Sequence, residues 1–232
     1  MKWFDIKMKL KEIDLIYKPY KLMMDKKEAK EEAIRREALR VHGYDIAQKV
    51  GKALDESEIR YFFTYGNLLG LIRNGKFMSY DNDLDMGIIY DENFSWTNLE
   101  NAMKQLGLEK KREFKVDNEV MEQSYLVNNL TVDFFLYKKE NERMFSYVYF
   151  RKENFPYKSI EEFSISKLYS CPIEETQKIL CEGIEFTVPS NSQDYLKDIY
   201  GESWRIPNPN WVSEKGPAWN ELKDRFAYAK NY

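Results

Sequence analysis

The stretch FFTYGNLLGLIRNGKFMSYDNDLDMGI, residues 62–88, places a glycine turn and a row of acids inside an otherwise apolar run. Residues 59–65, which lead into the turn, are β-branched and aromatic and predict a buried strand that ends at Gly66. A short helix follows, and the Asn-Gly pair at residues 74 and 75 predicts its end. The segment DLDMGII predicts a second strand. A folded core alone does not need acids at these positions, so the stretch indicates a functional site.

The second strand carries two carboxylates on one face. Because successive side chains of a strand point to opposite faces, Asp83 and Asp85 lie together, while Leu84 and Met86 face the core. The two carboxylates repel each other and are poorly solvated, which costs on the order of several kcal/mol unless water or a cation relieves it. Oxygen ligands suit Mg²⁺ or Mn²⁺. The pair therefore predicts a divalent-metal site.

A third acid, Asp133, stands in the apolar strand LTVDFFLY, with Val132 and Phe134 on the opposite face. If this strand lies beside the strand of Asp83 and Asp85, three carboxylates converge. A single acid in such a strand more often sits at a strand end and faces water. The three acids together with the glycine turn favour the metal site instead.

The turn at Gly66 and Asn67 ends a strand and opens a helix. Free backbone N–H groups and the positive end of the helix dipole are available there to a phosphate. Asn67 is placed either to cap the helix or to donate to a phosphate oxygen, and Arg73 follows on the same helix. A strand-glycine-helix junction alone is usually only a turn between two elements and binds no ligand. Joined to the acids, it predicts phosphoryl or nucleotidyl transfer.

Composition narrows the class of protein. The 232 residues are 43% hydrophobic and 16% aromatic, which is enough for a substantial core. Lys and Arg number 36 against 39 Asp and Glu, and a net charge of −3 argues against a nucleic-acid partner. The two cysteines, Cys171 and Cys181, predict reduced structural thiols. Charged residues recur throughout the start of the sequence, and no apolar leader is present there, so we expect a cytoplasmic protein.

The first thirty residues form a basic amphipathic segment, with nine Lys against five acids among apolar residues. Such a segment is more often an ordinary helix packed on the core, but it also suits peripheral contact with the inner face of an anionic membrane. We expect residues 1–30 to be this segment and residues 31–232 to be a single catalytic domain.

Periodicity and turn residues predict most of the remaining elements. Residues 28–54 predict one broken helix or two, interrupted at Gly43, and Ser95 caps a further helix. SYLVNNLTVDFFLY predicts a hairpin whose two-residue turn is Asn128-Asn129. RMFSYVYF and IEFTV predict strands, residues 191–200 predict a helix, and a terminal helix is expected after Pro217.

The segment YGNLLGLIRNGKFMSYDNDLDMGI resembles the signature of the LicD-type phosphotransferases, which include bacterial phosphocholine transferases and fukutin-like ribitol-phosphate transferases. In that signature a Gly-Thr-Leu-Leu-Gly and Arg segment precedes an acid-rich Asp-x-Asp strand. TVDFFLY is similar to the later Asp-bearing strand of the family, and CEGIEFTVPSNSQDYLKDIYGESWRIP is similar to its C-terminal end. The resemblance covers residues 38–209.

The resemblance implies an α+β, nucleotidyltransferase-like (polymerase-beta-type) fold, with a mixed-sheet core flanked by helices. It implies a CDP- or CMP-activated donor, from which phosphocholine, ribitol phosphate, glycerol phosphate or a phosphonate analogue passes to a sugar hydroxyl with release of CMP. The implied acceptor is a cell-surface glycan, free or lipid-linked.

The resemblance also assigns roles to residues. Asp83, Asp85 and Asp133 are the catalytic and metal-binding acids, Asp133 serving as general base or shared ligand, and Asp81 is a further candidate ligand. Asn82 stands where the family often has another Asp, Asn67 where it has Thr, and the basic residue after the helix is displaced. The residues expected to bind the donor phosphates are Gly66, Asn67, Arg73 and Lys76.

Three other functions fit the same acids. A glycosyltransferase that uses a nucleotide sugar also carries Asp-x-Asp, an ordinary nucleotidyltransferase leaves NMP on its substrate, and a binding module needs no turnover. Six aromatic residues are candidates for stacking a cytosine or caging a choline head group, although packing is the commoner use of such residues. They are Tyr125, Tyr147, Tyr149, Trp204, Trp211 and Trp219.

Overall fold

The computed structural model describes residues 14–153 and 155–232. The helices in these ranges are α1 (Asp14–Glu56), α2 (Tyr65–Asn74), α3 (Trp96–Gln105) and α4 (Ser192–Tyr200), with a short 3-10 helix at Ser213–Lys215. The strands are β1 (Tyr61–Phe63), β2 (Asp83–Ile89), β3 (Glu109–Val116), β4 (Glu119–Val127), β5 (Leu130–Glu140), β6 (Arg143–Phe150), β7 (Glu162–Ser170), β8 (Thr176–Cys181), β9 (Ile184–Pro189) and β10 (Trp219–Asn231).

Six strands close into an antiparallel barrel in the order β5-β4-β3-β10-β7-β6, and β6 pairs back onto β5. Strand β5 changes neighbours along its length. Residues 131–137 pair in parallel with β2, and residues 138–140 pair with β6. Strands β1 and β2 therefore extend the sheet beside the barrel, at the level where β6 no longer borders β5. The interior of the six-stranded barrel is called the lumen below.

The predicted fold class, a nucleotidyltransferase-like (polymerase-beta-type) mixed sheet flanked by helices, is wrong. Among the described strands only β2 and β5 pair in parallel, and the barrel pairs are antiparallel throughout. The terminal helix expected after Pro217 is instead β10, which pairs with both β3 and β7 and closes the barrel. The segment WNELKDRFAYAKN contains good helix formers, but two flanking strands override that local preference.

Helix α1 is continuous from Asp14 to Glu56, so the interruption expected at Gly43 is wrong. A Cβ on Gly43 would lie 2.7 Å from Leu39 Cδ1, so this glycine allows close packing rather than ending the helix. The helix passes residue 30 without a break, and the first thirteen residues of the basic segment lie outside the described residues. Among the described helices, none combines the length and the apolar character needed to cross a membrane.

The hairpin between β4 and β5 is confirmed. Asn128 and Asn129 adopt the left-handed conformation, with φ of 49° and 63°, as a two-residue turn requires. This turn fixes the register, so Ser124 of β4 lies opposite Asp133 of β5. The face of β2 that carries Leu84 is fully buried under α1 and α3, and the acids lie on its other face.

Candidate functional site

Three carboxylates converge where β2 and β5 run side by side. Asp85 of β2 is the register partner of Asp133 of β5, and Asp83 stands two residues earlier on the same face. One oxygen from each carboxylate lies within 4.8 Å of one from each of the others. Asp133 is only 9% exposed, and the other two are partly buried. The convergence expected from the sequence is therefore present.

The pKa of each of the three acids is raised above its ordinary value. Burial is the largest cause for each, and the charges of Asp133 and Asp81 add to it at Asp83, whose pKa rises to about 7. Burial and four neighbouring acids also raise the pKa of Asp85, and burial raises that of Asp133. At an effective dielectric of about 20, two unit charges at this separation repel by roughly 3 kcal/mol. The cluster therefore needs protons or a cation.

The donor set fits a divalent cation. Hard carboxylate oxygens are the ligands that Mg²⁺ and Mn²⁺ prefer. Asp133 Oδ1 is buried and accepts no hydrogen bond from the described residues, so it is open to a further partner. The positive charge of Arg35, from α1, lowers the pKa of both Asp83 and Asp133 without cancelling the upward shift.

Asp81 borders the cluster at the glycine turn. Burial raises its pKa to about 6, against hydrogen bonds from the Met78 backbone and Asn67 and the charge of Arg73. Its Oδ2 is buried and without a partner in the described structure. A Cβ on Gly66 would lie 3.1 Å from Asp81 Oδ1, so the glycine lets this carboxylate approach the start of α2. Asp81 thus joins the turn to the three acids.

Asn67 holds the acid-bearing strand. Its side chain is fully buried, its Oδ1 accepts a hydrogen bond from the Asp85 backbone N–H at 2.7 Å, and its Nδ2 donates to the Asp83 carbonyl at 3.2 Å. It makes no side-chain cap bond to α2, whose N-cap is Thr64. The amide expected to contact phosphate is therefore used to position the two acids of β2.

Replacing Asn67 with alanine is expected to lower the free energy of unfolding by about 2 kcal/mol, because the Asp85 N–H loses its buried acceptor. Asn101→Ala, at an exposed position of α3, is the matched control and should leave stability unchanged. Urea denaturation followed by circular dichroism measures both. Equal stability of the two variants would mean that Asn67 does not hold β2.

Arg73 lies at the C-terminal end of α2, where its side chain lines a pocket. Its Nη2 donates to Met78 Sδ at 3.0 Å and its Nη1 to the Trp204 carbonyl at 3.4 Å, which are weak or neutral acceptors. No carboxylate of the described residues forms an ion pair with it within 4.0 Å, so its charge remains available to an anion. Lys76 is exposed and does not line this pocket.

The pocket has a volume of about 550 Å³, within the range of small-molecule sites. Gly66, Arg73 and Asp81 form its polar side. The rings of Tyr200 and Trp211 lie 4.6 Å apart in its aromatic wall. The other lining residues are Leu69, Met78, Tyr80, Ser203, Trp204, Ile206, Pro207, Asn208 and Pro209.

A further acid, which the sequence patterns did not predict, lies next to the cluster. Glu122 of β4 is 3% exposed, and burial together with the charge of Asp133 raises its pKa to about 8. The Ser124 hydroxyl donates to Glu122 Oε1 at 3.3 Å, and a hydrogen bond from Ser124 lowers the pKa of Asp133. Arg112 Nη2 of β3 lies 3.7 Å from Glu122 Oε1. The register of the β4–β5 hairpin contained the information needed to find Glu122.

Comparison with known protein families shows which family the chain belongs to. Residues 58–191, more than half of the chain, match the family model described as LicD/FKTN/FKRP, nucleotidyltransferase domain. The chain belongs to the LicD family. The matched region of this LicD-family chain contains all three clustered acids and the glycine turn, whereas the aromatic wall contributed by residues 200–211 lies beyond it.

Individual relatives are distant. The chain is 23% identical over 181 residues to ribitol-5-phosphate transferase FKTN of Macaca fascicularis and to that of Homo sapiens, which covers 78% of this chain and 37% of each relative. It is 24% identical over 106 residues to an uncharacterised protein of Rickettsia typhi, which covers 46% of this chain and 32% of that protein. The chain thus spans about a third of the length of the curated relatives it matches.

Proposed function

We propose that this LicD-family chain is a phosphotransferase that moves a phospho-alcohol from a CDP- or CMP-linked donor to a sugar hydroxyl. Family membership supports transfer of a phosphoryl-alcohol group. The observation that carries the proposal is the convergence of Asp83, Asp85 and Asp133 beside a pocket with an unpaired arginine. The donor class, metal dependence and glycan acceptor are parts of this proposal.

The pocket supports binding of a nucleotide-linked donor. Arg73 and the backbone at Gly66 are placed to contact phosphate oxygens, since the first N–H groups of a helix have no acceptor within the helix. The rings of Tyr200 and Trp211 offer a surface for a pyrimidine base, and stacking of this kind contributes about 1–3 kcal/mol. A nucleotide bound in this way has its phosphates next to Asp81 and the acid cluster.

The proposed reaction exchanges one P–O bond for another. The acceptor hydroxyl oxygen attacks the phosphorus that carries the alcohol, and the bond from that phosphorus to the bridging oxygen of CMP breaks. CMP leaves with the electron pair. The hydroxyl proton passes to a carboxylate, and Asp133 is the proposed acceptor because its Oδ1 is buried and unpartnered.

Asp83, Asp85 and Asp133 are the proposed ligands of a divalent cation, with Asp81 as a further candidate. When bound, Mg²⁺ or Mn²⁺ supplies positive charge that neutralises the carboxylates and stabilises negative charge on the transferring phosphoryl group. Asn67 keeps Asp83 and Asp85 in register through the β2 backbone. Arg73 provides a second positive group on the donor side of the acids.

Analysis of the released nucleotide tests the proposal. Purified protein is screened with Mg²⁺ and with CDP-choline, CDP-ribitol, CDP-glycerol, CMP-phosphonates and UDP-sugars, because a ligand that binds only the folded state raises its melting temperature. A donor that stabilises the protein is then incubated with sugar acceptors. We expect free CMP and a phosphodiester product, and both should disappear when EDTA removes the metal.

Other products would overturn the proposal in distinct ways. Pyrophosphate with a nucleotidylated sugar would make the chain a nucleotidyltransferase, and a free nucleoside diphosphate with a glycoside would make it a glycosyltransferase. Sugar binding without metal dependence or turnover would make it a binding module. The described strands include one parallel pair, β2 with β5, which gives no support to the parallel nucleotide-binding half that a glycosyltransferase commonly carries.

A further inference from the structure

Four buried polar side-chain atoms of the described residues lack hydrogen-bond partners, two on acids and two on strands of the barrel. Within the described residues, the buried side-chain atoms without a hydrogen bond are Asp81 Oδ2, Asp133 Oδ1, Arg112 Nε and Tyr149 OH. The first two belong to the acid cluster. The other two lie on β3 and β6. A buried polar atom left unpaired costs about 1–3 kcal/mol, so the two on β3 and β6 indicate that a polar group outside the described residues binds between these strands.

A continuous row of polar side chains runs from the acid cluster into the lumen. The register places Asp133 opposite Ser124 and Ser124 opposite Arg112. Ser124 donates to Glu122, which lies beside Arg112. Burial raises the pKa of Tyr149, and the charge of Glu122 is the second cause of that rise. The row therefore crosses from β5 through β4 to β3 and ends at β6.

Tyr149 is placed by packing rather than by a polar bond. Its ring stacks on Phe114 at 4.0 Å with an interplanar angle of 8°. Strands β3 and β6 lie on opposite sides of the six-stranded barrel, so this stack spans the lumen. The hydroxyl is consequently held beside Glu122 without an acceptor or donor of its own.

We propose that this lumen row, defined as Ser124, Glu122, Arg112 and Tyr149, binds the hydroxyl-bearing acceptor during the transfer reaction. The row offers the Arg112 Nε–H as a donor, the Glu122 carboxylate as an acceptor, and the Tyr149 hydroxyl as either. Glu122 and Asp133 disfavour an anion, and Arg112 disfavours a cation. A neutral sugar or polyol with neighbouring hydroxyl groups matches these groups, and the inference rests on the proposed function.

The two sides of the acid cluster also fit the direction of the reaction. The donor pocket is lined by Gly66, Arg73 and Asp81, and it includes no member of the lumen row. The row begins at Asp133, on the strand beside β2. In phosphoryl transfer the attacking and leaving oxygens lie roughly in line on opposite sides of phosphorus. An acceptor held by the lumen row, which shares no residue with the donor pocket, reaches the acids along β4 and β5 rather than through that pocket.

Tyr149→Phe is the sharpest test because it removes a buried hydroxyl that makes no hydrogen bond within the described structure. A purely structural role predicts unchanged stability and unchanged ligand binding. The control is Tyr125→Phe, which removes a buried hydroxyl on the other face of β4, where it donates to Gln123 at 2.6 Å. Glu122→Gln is the second variant, since it keeps the shape of the side chain and removes its ability to ionise.

Saturation-transfer NMR without donor or metal measures the binding of two probes, ribitol as an open polyol and methyl β-D-glucopyranoside as a closed ring. We expect wild type and Tyr125→Phe to bind one probe with equal affinity, and Tyr149→Phe and Glu122→Gln to bind it about five- to tenfold more weakly. In turnover assays the same two variants should raise the KM for the acceptor and leave the KM for the donor unchanged.

The probe that binds distinguishes a polyol from a sugar-ring acceptor. Absence of saturation transfer to both probes in wild type, or equal affinity in all four proteins, would overturn the acceptor assignment and leave the four unpaired atoms to buried water. Because the binding measurement uses no nucleotide, failure to release CMP would remove the proposed function alone, and loss of probe binding would remove the lumen site alone.

Discussion

Asp83→Asn and Asp85→Asn are each expected to lower turnover by roughly a thousandfold or more while the protein keeps its fold. Each substitution removes one charged ligand from three carboxylates whose oxygens lie within 4.8 Å of one another. In the absence of metal, loss of a repelling charge should raise the melting temperature, by about 2–4 °C for each kcal/mol of repulsion removed. Steady-state turnover and metal-free thermal denaturation measure the two effects.

The control for these variants is Asp45→Asn. Asp45 lies on α1, where it is exposed and pairs with Lys49 at 2.7 Å, so its loss should change neither turnover nor stability by more than a small amount. The Mg²⁺-induced rise in melting temperature should shrink in both site variants and persist in the control. Substantial Mg²⁺-dependent turnover in either site variant would remove the metal assignment.

The acids of the site were predictable because their positions depend on local rules. Strand alternation placed Asp83 and Asp85 on one face. Asp133 was identifiable because an acid is unusual inside an apolar strand. The Asn128-Asn129 turn was also predictable, since asparagine tolerates the left-handed conformation. The parallel pairing of β2 with β5, which brings the acids together, was only a conditional expectation, because pairing partners depend on the whole chain.

The barrel was not predictable from the same rules. Its closure depends on β10, a segment with helix-forming residues that becomes a strand because β3 and β7 would each lack a second neighbour without it. The pocket likewise combines the glycine turn with residues 200–211, which are distant in sequence. Such long-range contacts are absent from any local pattern.

The position of Glu122 follows from the sequence, although Glu122 is not among the predicted site residues. A two-residue turn at 128 and 129 pairs Val127 with Leu130, and stepping back along β4 places Ser124 opposite Asp133 and Glu122 opposite Phe135. Side chains two residues apart share a face, so the sequence alone put Glu122 beside the acid cluster. The predicted hairpin begins only at Ser124, two residues after Glu122, so Glu122 lies outside it.

Asp133→Ala is expected to reduce turnover by about two to four orders of magnitude and to weaken donor binding much less. The proposed role of Asp133 is to accept the proton of the attacking hydroxyl and to share the cation, and its unpartnered Oδ1 supports both. Donor affinity should depend more on Arg73 and the aromatic wall of the pocket, which Asp133 does not line. Single-turnover rates and donor titrations separate the two effects.

Ser124→Ala distinguishes this role from a structural one. Ser124 lies between Asp133 and Glu122 and donates its one hydroxyl proton to Glu122, and its proximity lowers the pKa of Asp133. A purely structural function of Asp133 would act through this neighbour, and Ser124→Ala would then reproduce the loss of Asp133. We expect Ser124→Ala to raise the KM for the acceptor but to retain most of the turnover at saturating acceptor, since it leaves both carboxylates in place. If Asp133→Ala loses donor binding in the same proportion as turnover, Asp133 belongs to the donor site and the proton must go elsewhere, with Glu122 the nearest remaining carboxylate along β4.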